Sequence, residues 1–137
     1  MKQLIILIVI FLSSFNIFGQ KSGELVQKGI EVKRFYEQNL EDGDKVFFLD
    51  KEEHYDFRGE IVELKEYSNK GKEIKLWMKY KFDDEGNLIE ELELDTKGEQ
   101  KIRFTYKYSK GLRIERNDYD EKNRLIKVKK YEYGYRK

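Results

Sequence analysis

The sequence predicts an all-β protein, in which about eight short strands form an antiparallel meander that curls as a single sheet. Three observations support this class. The 137-residue chain contains ten Gly and neither Pro nor Ala, which disfavours helices and favours turns. Aromatic residues make up 15% of it, and aromatic side chains are typical of strands. Turn signals recur about every 12 to 16 residues, which is the spacing of consecutive hairpins.

The turn signals are triplets with a charged middle residue and a final Gly or Asn. They occupy residues 27–29, 41–43, 57–59, 69–71, 84–86, 96–98, 109–111 and 121–123. A three-residue hairpin loop combines a type I turn with one residue in the left-handed region. Gly adopts that conformation without steric cost, and Asn is the next best residue. Each triplet is therefore predicted to be a hairpin loop.

Loop positions fix which strand residues lie opposite each other. If residues 96–98 form a loop, Leu92 faces Ile102, and if residues 84–86 form one, Leu92 also faces Met78. The same rule for residues 109–111 places Tyr108 opposite Leu112. These registers predict a sheet with one apolar face and one face of alternating charges.

The pattern is less regular before residue 60. Tyr36 is predicted to pair with Phe48, but the next hairpin would then place His54 on the apolar face, and a β-bulge near residues 50–55 would correct this. Residues 24–40 are compatible with either a helix or a strand, and the turn signal at Gly29 favours a strand.

An antiparallel sheet with one apolar face must cover that face. The sheet can curl on itself, dimerise or dock on a partner. We expect curling, and a homodimer through the apolar face is the other self-contained solution.

Three stretches repeat an aromatic residue, an Asp and a turn: residues 55–61, 82–89 and 119–126, with a degenerate copy at residues 94–98. This pattern resembles the tyrosine-aspartate (YD) repeats of Rhs-type proteins, and it is also similar to MORN-like repeats of small bacterial immunity proteins. The resemblance implies β-hairpin repeats, export and, in some members, association with carbohydrate or the cell surface. The chain is too short to build the enclosing shell of Rhs toxins, so toxin delivery is not implied.

The first 20 residues predict a secretory signal peptide. Lys2 supplies the positive charge, residues 4–12 are apolar but too short to span a bilayer, and cleavage is predicted near Gly19 or Gln20. Residues 21–137 then form a single exported domain with no further transmembrane segment. The composition resembles that of small exported proteins of Bacteroidota.

The sequence favours a non-enzymatic protein without metal or cofactor. It has no Cys, its one His is His54, and residues 83–87 lack the alternating oxygen ligands of a calcium loop. Its formal net charge is +1, which argues against a nucleic-acid partner.

Two groups of residues are candidates for ligand or partner contact. The predicted register places Glu90 on the apolar face between Tyr80 and Phe104, where it would pair with Arg116 or contact a polar ligand. Trp77 would lie on the charged face, free to stack on a sugar ring or a partner side chain. A second aromatic row alternates in the basic C-terminal segment, at Tyr131, Tyr133 and Tyr135.

These features predict an exported binding module of β-hairpin repeats, with a cell-surface glycan or another envelope protein as its partner. The alternative is a periplasmic immunity-type protein that covers a toxin through the acidic residues 83–99. A hydrolase with two carboxylates is disfavoured, because the neighbouring Glu90 and Glu91 of a strand point to opposite faces.

Overall fold

The computed structural model of the protein describes residues 22–136. The predicted signal peptide lies outside these residues. No helix among the described residues is long and apolar enough to cross a membrane.

The all-β class and the strand number are confirmed, because eight antiparallel strands form one sheet in sequence order. One short helix precedes them. The elements are α1 (Ser22–Gln27), β1 (Val32–Glu37), β2 (Phe48–Tyr55), β3 (Ile61–Ser68), β4 (Glu73–Phe82), β5 (Leu88–Leu94), β6 (Gln100–Ser109), β7 (Leu112–Tyr119) and β8 (Leu125–Lys130).

The segment that was compatible with helix or strand contains both. Helix α1 ends at Gln27, and Gly29 follows it with a φ of 61° and an amide that donates to the carbonyl of Val26. Gly29 therefore ends a helix instead of closing a hairpin. Strand β1 starts three residues later, at Val32.

The sheet is a single open layer. Within residues 22–136, each strand contacts only the strands before and after it, so the sheet does not close into a barrel. Strands β1 and β8 are its two edges. Leu94 and Tyr106 are the only buried hydrophobic residues among those described, each 7% exposed. No second layer within residues 22–136 covers the sheet, so only neighbours on the same face shield the apolar side chains.

The left-handed positions were predicted correctly. The last residue of all eight triplets has a positive φ, from 58° at Asn123 to 84° at Gly98. Four of the loops also share an aspartate immediately before the triplet. We call these the loop aspartates: Asp56, Asp83, Asp95 and Asp120.

Each loop aspartate bonds to its own loop in the same way. In Asp95, Oδ1 accepts hydrogen bonds from the backbone amides of Lys97, at 2.8 Å, and Glu99, at 2.9 Å. The other three accept from the amides two and four residues ahead, at 2.8 to 3.0 Å. This arrangement explains why Asp recurs in the repeat, since its short side chain can satisfy the amides of a tight turn.

The loop between β6 and β7 is shorter than predicted. Lys110 and Gly111 both have positive φ, 51° and 75°, which is typical of a two-residue type I′ hairpin. Tyr108 consequently pairs with Arg113, and the predicted pairing with Leu112 is wrong.

The predicted register of the central strands is also wrong. Leu92 pairs with Lys79 and Arg103, whereas Met78 and Ile102 both pair with Glu93. Leu92 therefore lies on the face opposite to Met78 and Ile102.

The cause is an extra residue in the second strand of every hairpin. In each of the seven pairs the register shifts by one position, as in a β-bulge. The skipped residues are Asp50, Val62, Lys75, Ile89, Lys101, Ile114 and Ile126. The bulge predicted near residues 50–55 is thus confirmed at Asp50. On the loop side of this bulge Tyr36 pairs with Leu49, so its predicted pairing with Phe48 is wrong.

The shifts mix apolar and charged side chains on both faces, because residues paired across strands share a face. Face A contains a row formed by Tyr80, Glu91, Phe104 and Asp118, and the next row contains Tyr106 and Arg116. Face B contains Trp77, Leu94, Leu92, Arg103 and Glu90. The predicted division into one apolar and one ionic face is therefore wrong, and with it the basis for a homodimer through an apolar face.

Candidate ligand-binding site

Trp77 packs on face B more closely than the sequence indicated. Its Nε1 donates to the Glu63 carboxylate at 2.6 Å, and the Lys65 ammonium lies 4.4 Å from the ring centroid. The far edge of the indole covers the loop glycine Gly98, where a Cβ atom would lie 3.3 Å away. Trp77 thus supports the β5–β6 hairpin.

Glu90 and Arg116 lie on opposite faces, so the predicted pair between them is wrong. Glu90 accepts a hydrogen bond from Arg103 Nε at 2.8 Å on face B. The register shift at Ile89 places Glu91, instead of Glu90, between Tyr80 and Phe104.

Arg116 is held on face A by a buried carboxylate and an aromatic ring. Its Nε and Nη2 donate to the two oxygens of Asp118 at 2.6 and 3.1 Å. Its guanidinium carbon lies 4.1 Å from the centroid of Phe104. Asp118 is only 5% exposed, so this forked pair fixes the position of Arg116.

Arg113 lies in the same region, and sequence reasoning missed it. Its guanidinium carbon lies 3.9 Å from the ring centroid of Tyr106. Its Nε and Nη2 donate to the Tyr108 hydroxyl at 3.3 and 3.2 Å, and that hydroxyl donates to the carbonyl of Leu88 at 2.9 Å. The side chain is thus positioned by two tyrosines.

Arg113 differs from the other strand arginines in its charge partners. Within residues 22–136, five arginines form salt bridges with carboxylates, namely Arg34, Arg58, Arg103, Arg116 and Arg124. Arg113 is the only arginine in a strand of this part of the chain that has no carboxylate within salt-bridge distance.

The C-terminal tyrosines approach this arginine from the edge of the sheet. Past β8 the chain continues beside β7, where the Tyr131 amide donates to the carbonyl of Ile114 at 3.0 Å. The Tyr133 hydroxyl donates to the carbonyl of Arg113 at 2.6 Å. Tyr135 lies further out and is 81% exposed. Of the six residues predicted from sequence, Arg116, Tyr131 and Tyr133 therefore come together around Arg113.

The ionisation of the site follows from these contacts. Burial alone would lower the pKa of Arg113, but the hydrogen bond with Tyr108 and the nearby phenols of Tyr106 and Tyr131 raise it overall. Burial raises the pKa of Tyr106 well above its usual range, and the Glu91 carboxylate adds to that effect. At neutral pH the guanidinium is therefore charged, and Tyr106 remains a neutral phenol.

We call this group the arginine–tyrosine cluster: Tyr106, Tyr108, Arg113, Arg116 and Tyr131. It offers fixed N–H donors beside aromatic rings on an open face, which suits binding of a polar or anionic ligand. The region described contains no group of three His, Asp or Glu side chains placed to hold a metal ion.

No protein-family model matches the sequence, and comparisons with curated proteins and with solved structures find no similar chain. The resemblance to YD and MORN-like repeats therefore stays a prediction from the motif.

Proposed function

We propose that the protein is an exported, non-enzymatic binding module that holds a cell-surface glycan or another envelope protein at the arginine–tyrosine cluster. The observation that supports this proposal is the packing of Arg113 against Tyr106 and Tyr108 on a face that no other element of residues 22–136 covers. An arginine held in place on an open surface is ready to bind without reorganisation, which lowers the cost of association.

Two further features agree with a binding role. Tyr131 of the cluster is 36% exposed and the neighbouring Tyr133 is 45% exposed, so a partner could reach both rings. Glu90 and Glu91 lie on opposite faces of β5, which argues against a hydrolase that uses both carboxylates.

A glycan array and a pull-down from envelope extract, both with the purified protein, test the proposal. We expect a retained glycan class or a specific envelope protein, and we expect Tyr131→Ala to weaken that interaction. Tyr36→Ala is the matched control, because Tyr36 is an exposed tyrosine, 58% accessible, on the opposite edge strand. If both variants bind like the unaltered protein, the cluster is not the binding site.

The immunity-type alternative uses a different surface. The acidic loop between β4 and β5 exposes Asp84 and Glu85, so a basic toxin surface could dock there. Recovery of a toxin whose binding is lost in Asp84→Lys, but kept in Tyr131→Ala, would favour this alternative.

A further inference from the structure

We infer that Arg113 binds a carboxylate of an acidic, uronic-acid-bearing polysaccharide, with the sugar chain lying along the C-terminal tyrosines. This inference rests on the proposed function and specifies its ligand class.

Arg113 has unused hydrogen-bonding capacity. A guanidinium has five N–H donors, and two of them are occupied by the Tyr108 hydroxyl. Within the described part of the chain, the other three donors of Arg113 have no acceptor. A carboxylate accepts two parallel N–H bonds from a guanidinium, so it matches this unused part of the fork.

The carboxylates near Arg113 are already bound to other side chains. Asp118 binds Arg116, Glu115 binds Lys107 on face B at 2.8 Å, and the Glu91 carboxylate of face A is hydrogen-bonded to Tyr106. Arg113 is half-buried, so its charge is partly desolvated, and its stacking on the Tyr106 ring does not supply a counter-charge. An external carboxylate would complete the site.

The surface beside Arg113 is extended. The exposed Tyr131 and Tyr133 are two residues apart, a separation of roughly 7 Å in extended chain. The register also places Lys127 and Lys129 on face A, opposite Asp118 and Arg116. Aromatic rings and cations along a line suit a chain of repeating acidic sugars better than a single compact anion.

Calorimetric titration of the purified protein with oligogalacturonate and with hyaluronan fragments tests the inference. We expect binding to at least one of these, and about ten-fold or more weaker binding to its methyl ester, which keeps the sugar and removes the charge. This comparison needs no substitution in the protein, so it stands even if a variant fails to fold.

Substitutions then locate the contact. Arg113→Gln should weaken binding about ten-fold or more, and Arg113→Lys should recover only part of the loss, because it restores the charge without the fork. Arg34→Gln is the matched control, since it removes the same charge on face B at the far edge, and it should leave binding nearly unchanged. Far-ultraviolet circular dichroism checks that each variant retains its strands.

Each contrary result has a distinct meaning. If neutral glycans or the methyl esters bind as well as the acids, or if Arg34→Gln matches Arg113→Gln, the carboxylate inference is overturned while glycan binding stands. If poly-glutamate binds more tightly than either saccharide, Arg113 serves an acidic protein partner and the saccharide assignment is overturned. If no glycan binds at all, the glycan form of the proposed function fails as well.

Discussion

Replacing Gly98 with Ala measures how tightly Trp77 packs over the β5–β6 loop. Gly98 and Gly86 occupy equivalent loop positions with nearly identical φ, 84° and 83°. A Cβ atom at Gly98 would lie 3.3 Å from two carbons of the Trp77 ring, whereas a Cβ at Gly86 would meet nothing within 4 Å. Gly86→Ala is therefore an internal control for backbone strain.

The difference between the two variants follows from these contacts. An L-residue in the left-handed region costs roughly 1–2 kcal/mol, and both variants incur that cost. In Gly98→Ala the indole must also move, although Glu63 binds its Nε1 and Lys65 lies over its ring. Overpacking of this kind costs about 1–3 kcal/mol, so Gly98→Ala should lose at least ~1 kcal/mol more than Gly86→Ala.

Urea denaturation of the two variants checks this difference in the free energy of unfolding. An additional 1 kcal/mol corresponds to a midpoint lower by about 0.3–1 M, for a slope of about 1–3 kcal/mol/M. Trp77 is the only tryptophan, so the native emission spectrum should change in Gly98→Ala and stay constant in Gly86→Ala. Equal midpoints and equal spectra would show that Trp77 does not rest on the loop.

Three further predictions concern the same hydrogen bonds and charges. Trp77→Phe removes both the bond to Glu63 and the far edge of the ring that covers Gly98, so urea denaturation should show a loss of at least about 1 kcal/mol, and an unchanged midpoint would contradict these contacts. Loop hydrogen bonds lower the pKa of three loop aspartates, Asp83, Asp95 and Asp120. Their contribution to stability is therefore present above the ordinary aspartate pKa and lost as pH falls through the lower pKa values of the folded protein. The melting temperature should accordingly decrease in acid, and a melting temperature that does not change with pH would refute this. Burial, and secondarily the Glu91 carboxylate, raise the pKa of Tyr80 to about 12. The contribution of Tyr80 to stability is present below the ordinary tyrosine pKa and lost as pH rises through about 12. Subtracting the phenolate absorbance of Tyr80→Phe from that of the unaltered protein should therefore leave the titration of a group that ionises later than an ordinary tyrosine.

The loops were predictable because left-handed positions restrict the residue type. Gly or Asn ends each triplet, and the structure has a positive φ at every one of these positions. Strand number and order followed from the loop spacing. The register could not be predicted from the loop spacing, because a bulge inserts one residue without requiring a particular side chain. Lys101 and Ile89, for example, occupy equivalent bulges.

One sequence signal could have revealed some of the bulges. Two consecutive apolar residues follow several loops, as in Leu88-Ile89 and Leu125-Ile126, and strict alternation cannot place both on one face. The second residue of each of these pairs is the one skipped in the register. Reading such pairs as bulges would have assigned Glu91, and not Glu90, to the position between Tyr80 and Phe104.

The candidate binding site was only partly predictable. Aromatic spacing in the C-terminal segment identified Tyr131 and Tyr133, but Arg113 has no distinguishing sequence context. Its position beside Tyr108 depends on the two-residue loop at Lys110-Gly111, which pairs the two residues.

Contacts restricted to consecutive strands make this architecture modular in one dimension. The free energy of such an array is close to a sum over neighbouring units, as in solenoid repeats. A hairpin gained or lost at either end would leave the remaining strands paired as before, so the length of the sheet is free to vary in evolution. Under tension the strands would detach singly, beginning at a terminus, and the chain would lengthen in steps.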